Sequence, residues 1–351
     1  MALLKHAMVF IVYLLVVVVE FSDCFSFNCT VSLDGTGNFV KVNDAIAAAP
    51  NFSTTRFYIH VKRGIYKEIV EVPSQKTFIA LIGDDASTTI IVNNRSNATG
   101  FTTATTATLS KLQFFSIITL ACLLAVNGEN FMAQFLTFEN SAGPKGGQAI
   151  AVVDQAKHTA YYKCVFLGYQ DTLFAASDLQ FFKECDIYGS IDFIFGNGLT
   201  IFQDCNIFAR LPSIESTVTA QSKNRKDDPS GFVFQNCNVT VSSEIASSKD
   251  KVMVFLGRPW RKYSMVIFIE SFLDDVVQPK GWLEWPGVPT NLLFYAEYNN
   301  RGAGANTSQR VNWPGFHVLH NAKDVASFTV ETFINGTQWL PETSIPFRAG
   351  V

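Results

Sequence analysis

The chain has 351 residues, 48% of them hydrophobic, and a formal net charge of −3. That length and apolar content exclude a disordered chain and allow one large domain or two modest ones around a sizeable core. The slightly negative charge and the absence of any lysine or arginine run exclude a basic field for nucleic acid, so a polyanionic ligand would have to be held by a few placed cations or by stacking.

At the N-terminus, Lys5 and His6 precede an apolar stretch from Met8 to Val19, and small residues are reached by Ser26. This order reads as a secretory leader over residues 1–26, cleaved near Ser26. An uncleaved membrane anchor is the competing reading, but the stretch falls well short of the roughly 20 apolar residues that span a bilayer. No membrane association is expected once the leader is removed. An alanine-rich run from Lys41 to Ala49, stopped by Pro50, predicts a short helix. In a stacked fold it would cap the open end.

Export also agrees with the cysteines. Six of the seven follow the expected cut, and four cluster as Cys164, Cys185, Cys205 and Cys237. No C-x-x-C pair accompanies them, which favours disulfides or buried free thiols over zinc. Asn28, Asn51, Asn94, Asn97, Asn238, Asn306 and Asn335 each begin an Asn-x-Ser/Thr triplet open to glycosylation after export.

The cysteines mark a repeat. Tyr162 to Phe166, Lys183 to Ile187, Gln203 to Ile207 and Gln235 to Val239 are similar five-residue units, with cysteine spacings of 21, 20 and 32. A period near twenty, made of short β-branched and aromatic runs broken by Gly, Asn and Asp, predicts an all-β chain wound as a parallel β-helix. Each period is one coil, and the last spacing carries a longer loop from Ser222 to Ser230. Equivalent residues on neighbouring coils then stack about 4.8 Å apart. The cysteines form one ladder, although spacing does not say which of them pair.

Asp171 follows Cys164 by seven residues and Asp192 follows Cys185 by seven. They therefore occupy the same place on successive coils. Two stacked carboxylates repel, so one holds a proton while the other stays ionised, which supplies an acid and a nucleophile or base. Gln148 and Gln170, 22 residues apart, converge on the same surface, where their amides can donate to a developing oxyanion. Turn-capping aspartates are the competing reading. No G-x-S-x-G elbow is present, no nucleophile motif accompanies the histidines, and His60 and His158 read as ordinary strand residues.

The motifs Asp34-Gly35-Thr36-Gly37, Gly64-Ile65-Tyr66-Lys67-Glu68, Gln148-Ala149-Ile150, Gln170-Asp171-Thr172-Leu173, Asp192-Phe193-Ile194-Phe195-Gly196 and Leu256-Gly257-Arg258-Pro259-Trp260 together resemble the pectinesterase family. Gly281 to Trp285, Arg310 to Gly315 and Pro346-Phe347 extend the likeness over nearly all of the chain after the leader. The resemblance implies a single-stranded right-handed parallel β-helix over residues 27–351. It also implies hydrolysis of the methyl esters of polygalacturonate to methanol and free carboxylate, with no cofactor and no metal. Carried over by motif, Asp192 is the nucleophile, Asp171 the proton donor and acceptor, and Gln170 and Gln148 the oxyanion donors. Arg258 orients Asp192, and Trp260 stacks on a sugar ring. The candidate disulfide residues are Cys185 and Cys205. The implied partners are methyl-esterified homogalacturonan and a proteinaceous pectinesterase inhibitor, and the implied setting is a secreted monomer in the cell wall.

The chain departs from the family pattern in three places. Gly146-Gly147 stand where a histidine usually precedes the Gln148 motif, and no room is left between the leader and Val31 for the inhibitor-like helical region many plant relatives carry. The chain is therefore expected to mature by leader removal alone. Residues 110–124 are a mostly apolar insertion, because deleting them restores a family-like Thr-Ala-Thr-Leu-Ala-Val-Asn-Gly. With the insertion skipped, the family's substrate-contacting threonine maps to Thr103; counted straight back from Gln148, the position is Ile118. Two alternatives to an esterase are a glycosidase or lyase on the same scaffold and a pectin-binding relative inactivated by the insertion.

Overall fold

The computed structural model describes residues 26–100 and 122–351. The expected leader up to Phe25, Thr103, Ile118 and residues 110–121 of the expected insertion lie outside the described residues. Among the described residues all strand pairing is parallel, in sheets of eleven, seven and eight strands; the central coils contribute one strand to each sheet in turn, and the end coils lack one or two of them. The fold is a parallel β-helix, with sequence period converted into register. Tyr161, Phe182, Phe202, Phe234 and Phe268 are Cα partners on five successive coils. Their rings stack face to face with centroids 4.6, 4.8, 4.6 and 4.5 Å apart. This column fills the interior, and its one side-chain polar group, the buried Tyr161 hydroxyl, donates to Asp154 Oδ2 at 3.2 Å.

The cysteine ladder runs beside the aromatic column. Cys164, Cys185, Cys205 and Cys237 are all buried. Each follows a residue held in the left-handed region, namely Lys163, Glu184, Asp204 and Asn236, with φ between 50° and 57°. The same corner recurs on later coils at Glu270 and Asn299. One tight left-handed turn per coil bends the chain from one sheet to the next, which is why polar residues with local hydrogen-bonding ability are favoured there. The cysteines are free thiols in the structure, so the expected bridge between Cys185 and Cys205 is not formed. Each sulfhydryl instead has a carbonyl acceptor: Cys185 Sγ donates to Lys183 O at 3.4 Å and Cys205 Sγ to Phe182 O at 3.5 Å.

Val42–Ala48 is the expected helix, with Lys41 and Ala49 as its caps. It buries Val42, Ala45 and Ile46 against the first coil. Its free N-terminal amides are satisfied at a distance, because Glu68 accepts from Val42 N at 2.9 Å and Asn43 N at 3.2 Å. The far end of the chain folds back over the outer face of the eleven-stranded sheet. Val325, Val330, Ile334, Trp339, Leu340 and Ile345 bury there against Phe181, Ile201, Val233 and Ile267. Gln203 fastens the tail by exchanging hydrogen bonds with the Arg348 backbone at 2.8 and 2.9 Å. His60 is a strand residue bonded to Asp84 at 2.7 Å. His158 departs from expectation: it occupies a turn at φ 60° and lies against Trp339, because the coil must bend before Thr159–Tyr162 begins. No helix among the described residues is long and apolar enough to cross a membrane.

Asp154, at the end of the strand Ile150–Asp154, is fully buried. Burial pushes its carboxyl up to about 7, opposed by hydrogen bonds from Thr159, Ala156 and Tyr161 and assisted by the charge of Asp178. The fold therefore accepts the neutral acid. In the unfolded chain the group titrates near the ordinary value of about 3.9. Its contribution is complete below that pH and is lost as pH rises through about 7. Asp154→Asn is expected to flatten the fall in stability between about pH 4 and pH 8, by a few kcal/mol at the alkaline end, measured as urea-unfolding free energy at each pH. A pH-independent difference between variant and parent would contradict this.

Candidate active site

The seven-stranded sheet carries the two aspartates just before the short strands Leu173–Ala175 and Ile194–Gly196. These strands pair Leu173 with Ile194, the Asp171 amide donates to Ile191 O at 3.1 Å, and Asp171 therefore stands over Asp192 on the next coil. Both occupy the left-handed region, Asp171 at φ 62° and Asp192 at φ 50°. Asp tolerates this conformation better than most residues. Gly196, at φ 125°, ends the second motif where a Cβ would strike the Ala175 carbonyl, so the coils approach too closely there for a side chain.

The two carboxyls have unlike surroundings. Asp192 Oδ1 accepts from Arg258 Nε and Thr217 Oγ1, each at 2.8 Å, and Oδ2 accepts from Arg258 Nη2 at 2.6 Å. This is a bidentate pair at a site where Asp192 is only 6% exposed. Asp171 has no cation of its own. Burial first, and the negative charge of Asp192 second, push its carboxyl well above the usual carboxylate range, against a hydrogen bond from Gln148 and the more distant charge of Arg258. The geometry thus sets a carboxyl in a bidentate ion pair beside one whose burial and neighbour favour the protonated form.

Gln148 and Gln170 are bridged as parallel neighbours, and the Ala149 amide donates to Gln170 O at 3.1 Å. Both side chains are half-buried beside the aspartates. Asn97, in the short turn Asn97–Thr99, gives its backbone amide to Gln148 O at 3.0 Å and its Nδ2 to Gln148 Oε1 at 3.4 Å. On the outer face of the sheet, Phe174 and Phe195 stack at 4.5 Å, and Trp260 meets Phe195 edge-on at 6.2 Å. These rings form one apolar cluster with Ile150, Val153 and Trp285 on the sheet that carries the aspartate pair. Arg258 and Trp260 follow the strand Met253–Gly257, two coils beyond Asp192. The structure therefore brings together Gln148, Gln170, Asp171, Asp192, Arg258 and Trp260.

The profile of the pectinesterase family matches residues 28–337. The chain belongs to the pectinesterase family. It is 44% identical over 328 residues to the probable pectinesterase/pectinesterase inhibitor 39 of Arabidopsis thaliana, covering 93% of this chain and 59% of that one. To pectinesterase 2 of Citrus sinensis it is 42% identical over 326 residues, covering 92% and 61%. The chain spans about three fifths of the length of these curated relatives. Among solved structures, pectin methylesterase from carrot superposes with a TM-score of 0.86 at 37% identity, covering 93% of this chain and 98% of that one. Pectin methylesterase from Aspergillus niger gives 0.74 at 27% identity, covering 90% and 96%.

Two residues at this pectinesterase site had no role in the sequence reading. The Trp285 ring lies against the guanidinium of Arg258, its centroid 4.5 Å from Cζ, and so packs on one face of the group whose edge holds Asp192. It sits in the Gly281 to Trp285 motif, whose composition alone does not say what it faces. Thr217 holds both the amide and the carboxylate of Asp192. Its signal is only its register with Asp192, through Ile194 and Thr219, and that register requires knowing the loop length between the two coils.

Proposed function

We propose that the chain hydrolyses the methyl esters of polygalacturonate through an aspartyl acyl-enzyme. The observation that carries this reading is the unequal pair, with Asp192 in a bidentate ion pair and Asp171 kept protonated by burial and by its neighbour's charge. The Asp192 carboxylate attacks the ester carbonyl, and the carbonyl electron pair moves onto oxygen, where the amides of Gln148 and Gln170 receive it. Such donors are typically worth about 3 kcal/mol each at the transition state. Collapse breaks the bond to methoxide, which leaves as methanol with the Asp171 proton. Asp171, now a carboxylate, takes a proton from water as that water attacks the acyl carbon, and Asp192 is released. Ester and water give acid and methanol, and both aspartates return to their starting states. Arg258 orients Asp192, and Trp260 supports a sugar ring against the Phe174 and Phe195 wall.

The same reading covers the setting. The apolar leader sequence and a wall polysaccharide as substrate support secretion to the cell wall, with glycosylation after export, monomeric action and a proteinaceous inhibitor as partner. A second reading, a pectin-binding relative without turnover, is favoured by one feature. Residues 101–121 connect Asn97–Thr99, which contacts Gln148, to the strand Cys122–Val126, which pairs with the strand Ile150–Asp154 following Gln148. The two described ends of that connection thus flank Gln148, an oxyanion donor in the first reading. Cys122–Leu124, the end of the expected insertion, lie in that strand, and Leu124 is partnered by Val70 and Val152. Deleting residues 110–124 would put Leu109 in the place of Leu124. Methanol release from methyl-esterified homogalacturonan by the full mature chain supports the esterase. Pectin binding without methanol, restored to turnover by the deletion, selects the second reading.

A further inference from the structure

The two oxygens of Asp192 are not equivalent. Oδ1 accepts two hydrogen bonds, from Thr217 Oγ1 and Arg258 Nε, both at 2.8 Å. Those two donors occupy both in-plane lone pairs of that oxygen. Oδ2 accepts one, from Arg258 Nη2 at 2.6 Å, and keeps a lone pair free. Thr217 also accepts the Asp192 backbone amide through the same hydroxyl oxygen, at 2.9 Å. The hydroxyl thereby closes a small ring with the backbone and the side chain of one residue. It does so at a position whose φ of 50° leaves the backbone amide without its ordinary strand partner. Thr217 itself is 2% exposed, on the strand Glu215–Gln221, and its own amide is fastened to Ser190 O at 3.1 Å. Neither the backbone nor the rotamer of this threonine is free to drift.

We propose that Thr217 is a positioning residue that fixes the Asp192 carboxylate with Oδ1 fully engaged and Oδ2 as the attacking oxygen. The proposal rests on the aspartyl-esterase reading above and adds which oxygen reacts and what selects it. Arg258 alone grips both oxygens and would tolerate a pivot of the carboxylate about the fork. The third contact, from a different strand, removes that freedom. Without it the carboxylate spends part of its time with neither free lone pair aimed at the substrate carbonyl, and misaimed nucleophiles lose rate rather than affinity. The threonine does not touch substrate, so binding is expected to be untouched.

The test compares Thr217→Val, which keeps shape and removes the hydroxyl, with Thr217→Ser, which keeps the hydroxyl, and Thr217→Cys, which keeps a weak donor. Each is assayed for kcat and KM in methanol release, alongside Asp192→Ala and with thermal unfolding of every variant. The expected order of kcat is parent and Thr217→Ser together, then Thr217→Cys, then Thr217→Val about tenfold or more below the parent, with KM within about twofold throughout. Should Thr217→Val fail to fold, the position of Thr217→Cys between serine and Asp192→Ala carries the same decision. A kcat for Thr217→Val or Thr217→Cys equal to that of the parent while Asp192→Ala is inactive overturns the role of Thr217 alone. A rise in KM with kcat unchanged, or a loss that Thr217→Ser does not restore, overturns it as well. Undiminished turnover by Asp192→Ala overturns the underlying reading.

Discussion

Asp192→Ala is expected to lower kcat for methanol release by about 10⁴-fold or more while the β-helix stays folded. The side chain makes no contribution to the interior column of rings. Its hydrogen bonds go to Arg258 and Thr217, two on Oδ1 and one on Oδ2. In the proposed mechanism, removing it deletes the nucleophile and leaves Gln148, Gln170 and Asp171 with only water to activate. Oxyanion donors and substrate binding alone sustain a residual acceleration, so the loss is large but finite. Asp192→Asn keeps a partner for Thr217 and for one arm of Arg258, so it should be nearly as inactive and more stable than Asp192→Ala. Initial rates, with circular dichroism and thermal midpoints for both variants, check this. Activity within tenfold of the parent in either variant would remove Asp192 from the chemistry.

The largest stability effect is expected far from the groove, at Arg310 and Glu297. Their side chains are 1% and 2% exposed and joined at 2.7 and 3.1 Å in a two-armed pair. The guanidinium also donates to Pro279 O at 3.0 Å and Gly304 O at 2.6 Å, and Trp282 Nε1 reaches Glu297 at 3.4 Å. One arginine thus gathers the loops that close the last coils. Gly281, at φ 73°, packs so close to the Arg310 side chain that a Cβ would overlap it. Removing one partner strands a buried charge, so Glu297→Ala or Arg310→Ala should cost about 3–5 kcal/mol. The pair Glu297→Leu with Arg310→Met should cost less than either single change, since no charge is left uncompensated. Urea unfolding at one pH for all three reads the difference. Single variants that cost under about 1 kcal/mol would show the charges to be solvated.

What sequence alone conveys here depends on how far apart the interacting groups lie. The coil period was legible because Cys164, Cys185 and Cys205 repeat at nearly equal spacing, and period becomes register in a parallel stack. The stacking of Asp171 over Asp192 followed from the same arithmetic. Arg258 was found through its motif, since no period relates it to Asp192. Thr217 and Trp285 escaped because their roles depend on which sheet a residue faces after a loop of irregular length. Glu68 belongs to a motif, but its task of capping the helix from Val42 depends on a contact 26 residues away in sequence. The cysteines illustrate the opposite failure. Proximity was read correctly from spacing, yet it does not decide between a bridge and the free thiols bonded to carbonyls that the structure contains. The folding of the C-terminal helices over the eleven-stranded sheet left no periodic trace either, because Val325, Val330 and Ile334 cover a surface assembled from separate coils, through Phe181, Ile201, Val233 and Ile267.

The central claim is that the stacked pair cleaves an ester and leaves the polymer backbone intact. Its most direct test is a single digestion of methyl-esterified homogalacturonan in which methanol, new carboxylates, reducing ends and unsaturated ends are all quantified. The account predicts one carboxylate for each methanol, with no new reducing or unsaturated ends, and with methanol and carboxylate release by Asp192→Ala lower by about 10⁴-fold or more. Reducing or unsaturated ends that accumulate with turnover and vanish in Asp192→Ala would contradict it, and would assign the two carboxyls to glycosidic-bond cleavage instead.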